Sequence, residues 1–147
     1  MINFKELVGD VFAEGTEEFK IITESYDLIT KTTPSISAEA KTQMILLDHS
    51  RTKLSTLYYM LSREISRQKE TYRKDYDAKY TRLVKLGRPS NAAIDAEIRT
   101  TCPEYATASV KVEALEQVRE LVSSYMRCID TTKQTAVEVL RDSRRID

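Results

Sequence analysis

Apolar residues recur three and four positions apart along almost the whole chain, and no stretch alternates strictly between apolar and polar. That pattern predicts an all-α fold. Phe4, Leu7, Val8 and Val11 form a first apolar stripe, opened by a capping box between Asn3 and Glu6 and closed at Gly15. Thr16 then caps a second helix whose inward face reads Phe19, Ile22, Tyr26, Ile29. Thr33-Pro34 stops it, because a proline disfavours helical geometry in the residue before it.

From Ser37 to Gly87 the helical pattern is unbroken, and its roughly 50 residues would extend about 75 Å. The seam reads Ala40, Met44, Leu47, Arg51, Leu54, Tyr58, Leu61, Ile65, Gln68, Tyr72, alternating steps of four and three, which is a coiled-coil heptad interrupted by Arg51 and Gln68. After Tyr72 the steps become four and four through Tyr76 to Tyr80, then three to Leu83, a slip that unwinds a supercoil locally. Gly87 suits a helix C-cap, Ser90 or Asn91 the next N-cap, and Ala92 to Arg99 a short helix. Thr101 and Glu104 spell another capping box, with Pro103 tolerated in the first turn of a last helix running from about Cys102 to Arg145. Its seam is Ala108, Val112, Leu115, Val118, Val122, Met126, Ile129, Ala136, Leu140, and Arg141, Arg144 and Arg145 fall where cations favour the helix dipole.

Two long helices joined by a compact turn are expected to fold back as a long antiparallel, coiled-coil-like hairpin over 37–147, with the short helices of 1–33 as an N-terminal segment. Turn position alone sets Tyr80 opposite Ala106 and Ala108, and Tyr72 opposite Leu115. Two helices leave apolar surface uncovered. The N-terminal helices cover part of it, and self-association into a homo-oligomer is expected for the remainder.

At 147 residues, 41 % hydrophobic and 31 % charged, the chain has the size and composition of one soluble domain. It lacks an apolar run long enough to span a bilayer, and "MINFKELVGDVFAEG" carries acids where a secretory signal has a basic start, so no membrane is expected and a cytoplasmic location is. Cys102 and Cys128 are too far apart for paired zinc-ligand spacing and are expected as free thiols.

Lysine and arginine match aspartate and glutamate at 23 each, so the formal net charge is zero, but the charge is unevenly placed. Residues 1–62 carry net −3, residues 63–88 net +5 and residues 89–147 net −2. A local excess of cations can attract a polyanion although the molecule is neutral.

That segment, "KETYRKDYDAKYTRLVKLGR" at its core, is the main candidate for chemistry. Arg63, Arg67, Lys69, Arg73, Lys74, Lys79, Arg82, Lys85 and Arg88 extend along one arm of the hairpin, and cations spread along a rod suit a phosphate backbone. A solvated helical flank is the competing reading, although such flanks tend to mix both signs. Tyr72, Tyr76 and Tyr80 have two roles open: stacking platforms for the bases of a single strand, or seam residues that continue the core. No catalytic constellation accompanies them. His49, the only histidine, has Asp48 and Ser50 as chain neighbours about 100° away around the helix, which no triad allows. The three glycines are isolated, so no phosphate loop forms, and the acids show no metal spacing. A non-enzymatic protein without cofactor or metal is expected.

From about Lys41 to the C-terminus, roughly two-thirds of the chain, the arrangement resembles the UvsY recombination mediators of tailed phages. The likeness lies in a basic long helix with paired tyrosines, "KLSTLYYMLSR", a turn region entering "DAEIRTT", and a final helix "ALEQVRELVSSYMRCIDTTKQTAVEVLRDSRR" with its "ID..K" step and late "RDSRR". The resemblance implies a small helical protein that assembles into a ring-like homo-oligomer and binds single-stranded DNA. It further implies a partner recombinase, loaded onto strands covered by single-strand binding protein, and a host-cytoplasmic location. Of the family's DNA-contacting basic positions, Lys53 matches one, whereas the second falls on Ser55; charge density independent of the family favours Arg63 to Arg88. The alternative is a helical structural or adaptor protein that contacts only protein.

Overall fold

The computed structural model of the protein describes residues 4–30, 37–87 and 90–146. Five helices follow in order, α1 (Phe4–Gly9), α2 (Glu17–Thr30), α3 (Ser37–Lys85), α4 (Asn91–Thr101) and α5 (Pro103–Ile146), and among the described residues there is no strand. The fold is all-α. The expected cap at Asn3, the stop at Thr33-Pro34, the candidate cation Arg88 and the side chains of Phe4, Arg144 and Arg145 lie outside the described residues.

The local signals act where helices begin and end. Thr16 accepts the Phe19 amide at 3.3 Å and so caps α2. At the end of α3, the amides of Leu86 and Gly87 turn back to the carbonyls of Leu83 and Val84, and Gly87 takes φ +79°, a left-handed conformation that a side chain would strain. Ser90 is extended and accepts the Ala93 amide at 3.2 Å, opening α4. The capping box expected at Thr101 and Glu104 is not what opens α5. Thr101 is the last residue of α4, its hydroxyl donating back to the Glu97 carbonyl at 2.7 Å. Pro103 fills the first position of α5, where a missing N–H costs nothing.

The main packing is α3 against α5. Leu47, Leu54, Leu61 and Ile65 from α3 are buried with Val112, Leu115, Val118, Val122 and Ile129 from α5. Asp48 pairs with Lys133, Arg51 with Asp130, Ser62 with Arg119 and Lys69 with Glu116, so residue numbers rise along α3 as they fall along α5. Fully burying a leucine or isoleucine stabilises by about 1.5–3 kcal/mol, whereas an exposed ion pair contributes about 0–1 kcal/mol. The apolar layer therefore carries the stability, and the polar pairs fix register.

Both polar interruptions of the α3 seam find partners. Arg51 donates twice to Asp130, at 2.9 and 3.3 Å, and Gln68 donates to Glu64 at 2.8 Å. The N-terminal helices close the open side: Val8 of α1 and Ile22 and Leu28 of α2 join the same core, and Tyr26 of α2 lies 6.1 Å from the buried ring of Tyr125. Burial pushes the Tyr125 phenol up to about 12, with Tyr26 and Cys128 adding to it. Two buried side chains of α3 lie off its expected seam. Leu57 shares a helical flank with Ser50 and Lys53, which line the groove between α3 and α2, so that flank is covered as well. Gln43 is 6 % exposed, and its side-chain carbonyl has no hydrogen-bond partner among the described residues.

Candidate nucleic-acid interface

Beyond Ile65 the α3 core thins, and α4 supplies a second, smaller one of Ile94, Ile98 and Cys102, packed against Tyr76, Tyr80, Leu83 and Tyr105. The tyrosine ladder is engaged here. Tyr72 packs on the main core and meets the Tyr105 ring at 5.3 Å and 80°. Tyr76 lies 4.9 Å from Tyr105 and donates its hydroxyl to Asp95 at 3.0 Å. Tyr80 stacks on Tyr76 with ring centres 6.1 Å apart and donates to Asn91. Tyr80 therefore faces α4, a contact that the expected pairing with Ala106 and Ala108 did not include.

Electrostatics tighten the same corner. Arg99 donates to Asp95 at 2.9 Å, which with the Tyr76 hydroxyl holds the Asp95 carboxyl below its ordinary range, and the guanidinium lies 5.6 Å from the Tyr105 ring centre. Burial first, and then the Asp95 hydrogen bond, push the Tyr76 phenol up to about 12. Stacking a base on Tyr76 or Tyr80 would require α4 to leave, so the arrangement favours the structural role for both. Cys102 is buried beside them and Cys128 exposed on α5, both free thiols.

The candidate cations divide by what holds them. Lys69 is tied to Glu116 at 2.6 Å, and Arg67 to Glu64 at 2.7 and 3.1 Å. Hydrogen bonds from Arg67 and then Gln68 lower the Glu64 carboxyl to about 2. Among the described residues, Arg63, Arg73, Lys74, Lys79, Arg82 and Lys85 make no ion pair. Arg63, Arg67, Lys74 and Lys85 are spaced four, seven and eleven apart, which keeps them within about 40° on one helical face. Lys79 and Arg82 instead border a cleft with Leu83, Leu86 and the α4 residues Glu97 and Ile98. Lys53 stands about 15 Å further back along the helix, on the groove shared with Glu24 and Asp27 of α2. Those acids weaken the positive field around it. His49 lines the same groove, together with Ser25 and Ser50.

Among the described residues, no group of three or more histidine, cysteine, aspartate or glutamate side chains gathers at metal-binding distance, and no helix is long and apolar enough to cross a membrane. Two tyrosines differ from the sequence expectation: Tyr26, expected on the inward face of α2, is 38 % exposed, and Tyr59 had no expected role. Tyr59, beside the seam residue Tyr58, is 68 % exposed. The pairing itself was the signal, because adjacent helical residues point about 100° apart and only one of two tyrosines can enter the seam. Comparison of the chain with protein families, with curated proteins and with solved structures returns no match.

Proposed function

We propose that this protein binds single-stranded DNA through the cationic arm of α3 and acts, as a self-associating antiparallel helical hairpin, as a recombination accessory of the mediator type. The observation that carries the reading is the run of exposed cations without carboxylate partners among the described residues, Arg63, Arg73, Lys74, Arg82 and Lys85, on an arm whose neighbours Arg67 and Lys69 are paired. A protein that used these charges only for solubility would have little reason to leave so many of one sign together. Self-association would multiply modest contacts along one strand by effective concentration. Loading of a recombinase onto strands covered by single-strand binding protein follows from the resemblance alone.

A second reading, a helical adaptor that contacts only protein, is favoured by the exposed apolar side chains Ile45, Leu46, Leu86 and Val110. Titrating labelled oligo-dT with the full chain over a salt series separates the two. Binding at low salt that weakens steeply as salt rises supports the DNA reading. Absence of binding at low salt removes it and leaves the adaptor.

A further inference from the structure

We infer that Tyr59 and Arg63 form a nucleotide-sized subsite on the outer face of α3, the tyrosine stacking a base of single-stranded DNA and the arginine meeting its phosphate. The inference rests on the single-strand reading above and moves its aromatic component away from Tyr72, Tyr76 and Tyr80.

Three observations converge on this place. The Tyr59 ring stands perpendicular to that of Tyr58, at 84° with centres 6.3 Å apart, and Tyr58 is anchored in the main core. Tyr59 is therefore positioned by a neighbour yet leaves most of its surface to solvent. Beside it runs a shallow groove lined by Tyr59, Ser62, Arg63, Ser66, Arg67 and Glu70. Arg63 follows Tyr59 by one helical turn, about 5.4 Å along the axis, and makes no ion pair among the described residues. Ser62 and Ser66 contribute only short side chains to that groove.

The chemistry of the groove selects its occupant. A flat, sequence-tolerant π-surface is what an unpaired base requires, and a guanidinium at one turn's distance matches a phosphate on the same strand. An apolar helix from a protein partner fits less well, because docking on Tyr59 would desolvate the arginines at four and eight positions along the same face. Duplex DNA fits less well too, since its bases present no open face. Glu70 opposes the proposed ligand at the far end of the groove, and replacing its charge is expected to tighten binding.

The chain contains no tryptophan, so Tyr59→Trp introduces a single reporter at the site. Adding oligo-dT to the full-length variant is expected to quench its emission in step with binding followed by anisotropy of labelled DNA. Tyr59→Ala is expected to weaken that binding about 5- to 100-fold, as loss of one stacked base does, with thermal midpoint and solution mass unchanged. Glu70→Gln is expected to strengthen it. If the wild-type chain binds oligo-dT but the tryptophan emission stays constant at saturation and Tyr59→Ala binds equally well, the subsite is wrong while the DNA reading stands. A fall in solution mass for Tyr59→Ala would assign the residue to a contact between copies and overturn the proposal. If the wild-type chain does not bind at all, the single-strand reading itself fails and the subsite with it.

Discussion

Tyr76 shows how a side chain rich in functional suggestion becomes a structural one. Its ring fills the space between Tyr80 and Tyr105, and its hydroxyl is held by an aspartate that Arg99 also binds. Tyr76→Ala is expected to lower stability by about 2 kcal/mol, the low end for a large-to-small change because the site is only half-buried. Tyr76→Phe, which loses the bond to Asp95, is expected to cost about 1 kcal/mol, with urea denaturation reading both. Tyr76 and Tyr125 also carry a pH signature, both phenols being raised from the ordinary 10.0 to about 12. A raised acid is stabilised in its neutral form by the fold, so this contribution is complete below pH 10 and is lost as pH climbs through 12. Phenolate absorbance of the folded chain is therefore expected to show late-titrating tyrosines among its eight, and the same absorbance in urea to show none. Gln43 is the opposite case, a buried polar group whose carbonyl lacks a partner among the described residues. An unsatisfied group of this kind costs about 1–3 kcal/mol, so Gln43→Leu is expected to raise stability by about 1 kcal/mol in the same assay.

At the scale of elements, periodicity made the helices themselves legible, the short ones included, but not where the short ones dock. Leu47, Leu54, Leu61 and Ile65 are buried where the alternation of four and three places them, because burial against one partner repeats with the helix. Leu57 was not legible. It lies on the flank facing α2, and spacing along one helix does not say that a second helix covers the next face. The role of α4 was hidden for a related reason: a short helix after a turn can dock on either arm, and only the fold brings Asn91 to Tyr80 and Asp95 to Tyr76. Thr101 misled because "TCPE" spells a cap while its hydroxyl instead serves the end of α4. The docking of α4 rests on Ile94 and Ile98, both buried. Ile98→Ala is expected to cost about 2–4 kcal/mol and to speed hydrogen exchange in 91–101 well before the middle of α5 responds.

Over the whole molecule, a neutral net charge conceals one positive arm between two acidic stretches. The N-terminal stretch, folded as α2, brings Glu24 and Asp27 to Lys53. The unpaired cations are concentrated on the arm beyond that contact. This division was half visible in the sequence, where the excess of charge could be counted, but which cations were already neutralised could not, since Lys69 finds its carboxylate on the returning helix at Glu116. Lys69→Ala is accordingly expected to change the affinity for oligo-dT less than Arg73→Ala, because its charge is already partly compensated. The central claim is that the unpaired cations meet phosphate, and the salt dependence of binding tests it most directly. Each neutralised phosphate on a single strand contributes about 0.7 to the slope of log affinity against log salt. Comparing the wild-type chain with a variant carrying Arg63→Ala, Arg73→Ala, Lys74→Ala and Arg82→Ala, at matched helicity, is expected to show a slope shallower by about 3 for the four lost contacts. Two coincident slopes, or no binding by the wild-type chain at low salt, would contradict the account.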